Sequence, residues 1–462
     1  MPLSVVIAVG PSAGGAGALE EHPVASVAKR QARQRIRRIL PQPAGGPAGT
    51  RFALHPVMQR RIFALLAFAL AGACAPDPAT STTGASFPSA PPPREHHGSA
   101  VGDAFDAKLF AAFASHPGNF VYSPASLALA LETGREGARG ATASEIDAAL
   151  GRAGAKPTTL TQELGPTVAV ANGLFVDDQA RLEPSFVNLA ARRYGARVET
   201  VDFHDHPDAA RLRINRWVAD RTNDRVRDLL AAGLVRRDTR MLVVDAIHMK
   251  ASWMTPFPRA STRDEPFHLA TGGTKNVPTM HDRVTATLGE HAGARVLELP
   301  YLPSRSGASL ALLILLPKTD ASLDAVEAAY RREGVAAFAD SATRPGRIDV
   351  ALPRFSVSSS GDLDDALRAL GVRRAFTDQA DFSGISSEKR VELSSVVQHA
   401  TAEVDESGTE ASAASTGGTV EITSARIEEP LAFHVDRPYV FVIRDRTSGA
   451  VLFSGRIDDP SP

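Results

Sequence analysis

Few stretches of this chain have residue types and spacings that do chemistry, and those that do each lack a part. Gly10-Pro11-Ser12-Ala13-Gly14 follows the strand-like Ser4 to Val9 and has the Gly-x-Ser-x-Gly spacing of a nucleophile elbow, a sharp turn that exposes a serine for acyl transfer. An elbow needs a sheet around it and an Asp and a His delivered by the same fold. This one stands at the chain start, ahead of a segment with the character of a cleaved leader. His204-Asp205-His206 offers donors for zinc, but a closed structural site takes four ligands, and the single cysteine, Cys74, stands directly after that leader, far from them in the chain. Neither HExxH nor a P-loop occurs. The sequence therefore predicts no catalytic residue, no metal and no cofactor.

A different reactivity, that of a substrate, is written from Glu403 to Ile427, EVDESGTEASAASTGGTVEITSARI. Apart from Glu410, every residue from Gly408 through Thr419 is small and neutral, with no proline and no aromatic. A flexible linker would have no strand before it, and a settled buried strand would carry Val, Ile or aromatics. Here the Val-containing strand Val391 to Val404 runs straight into the segment. Written as a strand, Thr409, Ala411, Ala413 and Ser415 share one face, and Glu410, Ser412, Ala414 and Thr416 the other. One face could slip between existing strands without colliding with their side chains.

The words ESGTEASAA, Glu406 to Ala414, resemble the proximal hinge of the serpins, and the resemblance extends on both sides. Upstream stand Leu352-Pro353-Arg354-Phe355, the run Ala380 to Ser386 and Val396-Val397-Gln398-His399; downstream stand the Asp436-Arg437-Pro438-Tyr439 turn and two terminal strands. The resemblance implies an α+β fold with a large mixed central β-sheet, further sheets, about eight to nine helices and an exposed reactive-centre loop over about 406–430. It also implies a function, suicide-substrate inhibition of serine or cysteine endopeptidases. The protease attacks the loop, forms an acyl-enzyme, and is trapped when the cleaved loop enters the sheet. Glu406, Gly408, Thr409, Ala411, Ala413, Ala414 and Ser415 would be the hinge of that loop. The alternative is a non-inhibitory serpin acting as a binding protein. Such members carry bulky, charged or proline residues at inward hinge positions, and none stands there, although Gly417-Gly418 lowers strand propensity late in the segment.

Counting forward from Glu406 by the family's spacing puts the reactive bond at Ile422-Thr423, whereas counting backward from Pro438 puts it after Ile427, with Arg426-Ile427 inside the window. The forward count fixes how much strand inserts and is preferred. Ile422 implies elastase-like or subtilisin-like targets; Arg426 would suit a trypsin-like protease.

Ser123 before Pro124 is a helix N-cap followed by proline at the first helical position. The stretch from Asn119 to Ser126 also resembles the family's Asn-x-x-x-Ser-Pro-x-Ser signature, which implies for Ser123 and Ser126 a place behind the strands that open. Trp253, shortly after the strand-like Met241 to Lys250, joins them in the shutter and breach of the sheet. Two residues depart from the family pattern, Asp245 where Asn is usual and Gln398 where His is usual. An Asp carboxylate accepts and a Gln amide donates, so the exchanged pair can still bond.

The elements that must position these residues are legible in part. Phe105, Leu109, Phe110 and Phe113 recur at helical spacing. Thr142-Ala143-Ser144-Glu145 has the form of a capping box opening a helix. Pro184 to Tyr194 and a segment opening at Ile214-Asn215-Arg216-Trp217-Val218 are helical. Strand patterns run over Asn172 to Val176, Val198 to Phe203, Met241 to Lys250, Ser309 to Leu316 and Arg347 to Phe355. Between Glu145 and Asn172 the chain is shorter than usual for the family and has only Arg152 and Lys156 as cations, so no heparin-type cofactor is expected.

The chain has 462 residues, 43% hydrophobic, with formal net charge −1, which gives no ground for a nucleic-acid partner. A monomer is expected, its partner a target serine protease held as a covalent acyl complex. Met58-Gln59-Arg60-Arg61, the apolar Ile62 to Leu70 and Ala71-Gly72-Ala73 before Cys74 resemble a bacterial lipoprotein signal, with Cys74 the lipid-bearing residue. Residues 1–57 are then a mis-assigned upstream extension, 58–73 the signal, 74–99 a Pro/Ser/Thr-rich disordered tether and 100–459 the serpin domain. That organisation predicts export across the inner membrane and a lipid-anchored place at the cell envelope or surface, with extracellular or periplasmic release if the anchor is absent.

Overall fold

Proline sets the starts of three helices and glycine the end of one. Helix α1 (Ala100–Phe113) buries Phe105, Leu109 and Phe110. Strand β1 (Phe120–Tyr122) leads into α2 (Pro124–Gly137) and α3 (Gly140–Ala149). Then come β2 (Val168–Asp177), α4 (Pro184–Tyr194), β3 (Arg197–Val201) and α5 (Pro207–Arg221). A proline stands in the first turn of α2, α4 and α5, where its fixed φ fits and its missing N–H costs nothing. Gly195 stops α4 in the left-handed conformation, φ 61°.

The second half of the chain is mostly strand. β4 (Met241–Met249) and β5 (Ala251–Ser252) precede β6 (Arg263–His268), β7 (Thr274–His291), β8 (Ala294–Pro300) and β9 (Leu310–Pro317). Helix α6 (Leu323–Ser341), capped by Ser322, is followed by β10 (Arg344–Pro353), β11 (Phe355–Asp362) and α7 (Asp364–Ala369). Last are β12 (Leu393–Asp405), β13 (Gly408–Thr409), β14 (Leu431–His434), β15 (Tyr439–Asp445) and β16 (Val451–Ile457).

This architecture is that of a computed structural model, which describes residues 100–151, 168–303, 308–388, 390–409 and 431–461. Cys74 with its leader and tether, the elbow serine Ser12, and the loop residues Ala411, Ala413, Ala414, Ser415, Ile422, Thr423, Arg426 and Ile427 lie outside the described residues. Seven α-helices stand among the described residues, beside two sheets. The nine-stranded sheet runs β1-β16-β15-β9-β8-β7-β10-β14 with β6 on β7; the seven-stranded sheet runs β3-β2-β4-β12-β13-β5 with β11 on β12. Both are mixed, so the fold is α+β as the resemblance implies.

The seven-stranded sheet positions the candidate site. Its strand β4 is buried along its whole length, as a central strand covered on both faces must be. Met241 and Val243 face the cluster that includes Leu127 and Leu131 of α2, whereas Leu242, Val244 and Ala246 face Ile214, Trp217 and Val218 of α5. Those two helices sandwich the strand that the candidate site uses.

Two sequence expectations change. The capping box at Thr142 to Glu145 is not used, because α3 already begins at Gly140, with Arg139 at the N-cap. Thr142 Oγ1 instead accepts from Asp381 N at 3.0 Å, and Glu145 Oε2 accepts from the backbone N–H groups of Arg373 and Arg374. These side chains serve partners far away in sequence, which a local pattern cannot show. The helix containing Ile214 to Val218 starts earlier, at Pro207, so those residues lie in its body.

Candidate functional site

Strands β4 and β12 run parallel from Met241 against Leu393 to His248 against Thr401, with one irregularity between Leu393 and Ser395 and unbroken register from Leu242 against Ser395 onward. Beyond that row they are no longer neighbours. β5, two residues past the end of β4, pairs with β13, and β13 pairs with the end of β12. The first strand residues after β12, Gly408 and Thr409, thus already lie between the two sides of the sheet.

A tight reversal brings them there. Val404 opposes Thr409 and Asp405 opposes Gly408, so Glu406 and Ser407 form a two-residue turn. The Asp405 carboxylate accepts from Ser407 N at 2.7 Å and Gly408 N at 3.2 Å, the local bond that favours Asp at the start of a turn. Gly408 sits at φ 143°, and a Cβ there would come 2.1 Å from Ala251 O, so no other residue fits.

The described hinge side chains of Glu406 and Thr409 are held. Trp253 Nε1 donates to Asp405 O at 2.8 Å, and its ring stacks on Tyr301 with centroids 4.4 Å apart. The Tyr301 hydroxyl lies 2.7 Å from Thr409 Oγ1, and Thr409 is buried. Glu406 Oε1 accepts from Arg354 Nε at 2.7 Å, from Arg354 Nη2 and from Thr262 Oγ1. Burial alone would raise the Glu406 carboxyl; the Arg354 and Thr262 hydrogen bonds outweigh it and hold the group below its ordinary value.

Four rows down the joined part of the sheet lies a buried polar cluster. Ser123 caps α2, its hydroxyl accepting from Ser126 N at 3.2 Å, while its backbone N and O bond to the two ends of the Gln398 amide at 3.0 Å each. Gln398 Nε2 donates to Asp245 Oδ2 at 2.8 Å, and Ser126 Oγ donates to the same oxygen at 2.5 Å. The structure therefore brings Ser123, Ser126, Asp245 and Gln398 together, with Asp245 and Gln398 bonded across the β4–β12 seam. Asp245 Oδ1 is buried and has no hydrogen-bond partner. Trp253 lies apart from them, at the hinge.

No charged group compensates Asp245. It faces Ser126 of α2, Gln398 of β12 and, one strand over, Asn172 of β2. Burial pushes its carboxyl up to about 6, against the pull of the Ser126 and Gln398 hydrogen bonds. On the opposite face of the seam His248 is pushed down to about 4 by burial and then by Arg225, Lys250 and His399. His399 is pushed down by burial as well.

Arg354, Thr262 and Tyr301 were not assigned roles from the sequence. Arg354 stands within Leu352-Pro353-Arg354-Phe355, so its charge beside an acidic hinge was the available signal. Tyr301 and Thr262 gave none, since only tertiary folding brings them to the hinge. The zinc candidates do not converge: His204 pairs with Asp205 at 2.9 Å and His206 with Asp202. No group of three or more metal-ligating side chains suited to a metal occurs among the described residues.

Two stability measurements test the cluster. Gln398→Leu removes the donor from a buried carboxylate and should cost ~1–3 kcal/mol in urea unfolding; unchanged stability would show that the cross-seam bond carries no weight. Asp245 has a folded pKa above its unfolded value, so its proton favours the closed fold. That contribution is complete below about pH 4 and is lost as pH rises through about 6. Asp245→Asn has no such proton and should gain on the wild type by about 3 kcal/mol between pH 4 and 8. The opposite slope from His248 is common to both proteins and cancels in the difference. A pH-independent gap would remove the buried charge from the account.

A serpin family model, described as serine protease inhibitor, matches residues 101–460. The leukocyte elastase inhibitor of Bos taurus is 35% identical over 384 residues, covering 78% of this chain and 99% of its own length. Among solved structures, Serpin48 of the insect Tenebrio molitor superposes with a TM-score of 0.70 at 29% identity, covering 78% of this chain and 97% of its own. Thyroxine-binding globulin in complex with thyroxine superposes with a TM-score of 0.68 at 25% identity, covering 78% and 99%. With the forked seven-stranded sheet and a family match spanning nearly all of the described residues, this chain belongs to the serpin family.

Proposed function

We propose that this chain is a suicide-substrate inhibitor of serine or cysteine endopeptidases, trapping the acyl-enzyme by inserting its cleaved loop between β4 and β12. The observation that carries the reading is β13: Gly408 and Thr409 already pair on both sides, with β12 and with β5, as the first rung of an added strand. The residues that follow, Ala411 to Ser415, are small enough to continue it.

The chemistry at the bond belongs to the protease. Its nucleophile attacks the carbonyl of Ile422, the Thr423 amine leaves, and an ester or thioester links enzyme to Ile422. Insertion competes with hydrolysis of that link. A strand from Thr409 to Ile422 spans roughly 45 Å at about 3.3 Å per residue and carries the enzyme with it. Each residue added gains about 0.5–1.5 kcal/mol of hydrogen bonding against about 1–2 kcal/mol of backbone entropy. The ladder alone does not drive the step, so the closed sheet must hold free energy that opening releases.

The likeness to a leukocyte elastase inhibitor supports an apolar residue before the reactive bond, and so Ile422-Thr423 over Arg426-Ile427. N-terminal sequencing of the small fragment released by an elastase-like protease should begin at Thr423; a fragment beginning at Ile427 would move the bond to the trypsin-like alternative.

Thr409→Arg puts a charged side chain where a hydroxyl is buried against Tyr301. It should convert the inhibitor into a substrate, with SDS-stable complex falling from most of the product to a small fraction, while cleavage continues. A full yield of complex from this variant would defeat the insertion reading. Loop-cleaved wild type should also melt at a much higher temperature than intact protein; equal melting would favour the non-inhibitory, binding-protein alternative.

A further inference from the structure

The α5 side of the β4–β12 seam carries a polar group of its own, separate from the cluster on the α2 side. Residues alternate between the two faces of a strand, and Val244 and Ala246 of β4 and Val397 of β12 pack on the α5 side. His248 and His399 continue those two series, so both imidazoles stand on that face, one from each strand of the seam. The ladder sets their offset. His248 is level with Thr401, and His399, level with Ala246, is two residues lower. Two residues of rise and one strand spacing put their Cα atoms about 8 Å apart.

The His399 ring closes much of that offset. Its Nε2 lies 2.9 Å from Thr401 Oγ1 and 3.5 Å from Ser358 Oγ, so the ring leans along β12 into the row of His248. Ser358 of β11 is opposite Thr401, and one row thus holds His248, Thr401 and Ser358 with the tip of His399 directed into it. His399 and Thr401 are half-buried and Ser358 is exposed, so the row opens to solvent on the β11 side.

The electrostatics select a ligand. Burial lowers both imidazoles, His248 to about 4 with further help from Arg225, Lys250 and His399, and so keeps them in the neutral form that ligates a metal. Neutral imidazole suits zinc, copper and nickel. Calcium and magnesium take oxygen ligands, carboxylates above all, and no carboxylate stands in this row. Arg225 and Lys250 further disfavour a cation held by charge alone.

We propose that His248 and His399 form a two-imidazole site for a divalent transition metal, bridging β4 and β12 on the α5 side of the seam, with Thr401 and water in the remaining positions. Two protein nitrogens make an open, exchangeable site, unlike the closed four-ligand kind. An ion with one ligand on each strand holds the sheet closed. Parting the strands by a further spacing of about 4.8 Å would pull the nitrogens beyond the span of one ion, whose bonds to nitrogen are about 2.0–2.1 Å. The metal would therefore act as a reversible brake on loop insertion. The brake rests on the insertion reading above; the site itself does not.

The test uses the full chain, with zinc chloride as the probe, in wild type, His399→Ala and His248→Gln. His399 is half-buried, so His399→Ala keeps the test open should His248→Gln fail to fold. His96-His97 and His204 to His206 are common to all three proteins, so the reading is a difference. Calorimetry should count one zinc fewer per chain in each variant than in wild type. Zinc at a hundred times its dissociation constant for this site should shift the unfolding equilibrium of intact wild type about 100-fold further toward the folded state than that of either variant. SDS-stable complex with an elastase-like protease should form more slowly when zinc is added and recover on chelation, in wild type alone. Equal zinc stoichiometry and equal stabilisation in wild type and His399→Ala would overturn the site. One zinc fewer in the variants, with an unchanged wild-type rate of complex formation, would overturn the brake and uphold the site. A wild type that forms no stable complex with or without zinc would refute the insertion reading, while calorimetry still decides the site.

Discussion

The parallel pairing of β4 with β12 is the contact on which the molecule turns. It joins the two halves of the central sheet over eight paired residues, and on the insertion reading it is the ladder that would open for the loop. Its replacement is favourable in kind. Insertion would replace one parallel ladder by two antiparallel ones, and antiparallel pairing is slightly the more stable per residue. On that reading the closed seam holds a fold whose strands would have a better arrangement available, and Gly408 and Thr409 stand at its first row.

The polar cluster behind the seam fits that balance. A buried carboxylate without a cation subtracts from stability, because its desolvation is only partly returned by two hydrogen bonds. An apolar pair at this row would close the sheet more firmly. Asp245 and Gln398 instead give the closed state one directional bond and leave an oxygen unserved. Such a bond fixes the row at which the strands meet while keeping their separation affordable in free energy. The Arg354–Glu406 pair acts at the other end, fixing the turn so that the loop starts in one register.

Much of this was legible in the sequence, and the limits are physical. Short-range chemistry carried the N-cap at Ser123, the boundaries of α4 and the burial of β4, since a cap, a proline and an unbroken apolar run each act within a few residues. The Asp245–Gln398 contact was accessible only because two departures from a family pattern compensate each other. The long ribbon that β6 and β7 form was not anticipated, because β6 and the start of β7 are polar and largely exposed and give no apolar alternation. Thr142 and Glu145 misled for a related reason. Their spacing suits a local cap, and their partners lie more than two hundred residues away.

The order of rows also accounts for the residues that look least suited to a strand. On the insertion reading, the register of Thr409 continued along both edges would put 411 and 413 at apolar rows, 415 level with Asp245 and Gln398, and Gly417-Gly418 only after them. Glycine weakens a strand through backbone entropy and a missing side chain, so two glycines near the hinge would oppose insertion while little had been gained. Placed later in the segment, they would enter only after the strands had already parted. Their lack of a side chain would then be an advantage, since the continued register would put 417 level with Val243 and Val396, which pack in the core on the α2 side. The weakest strand formers would thus occupy the rows where width constrains entry and propensity no longer decides it.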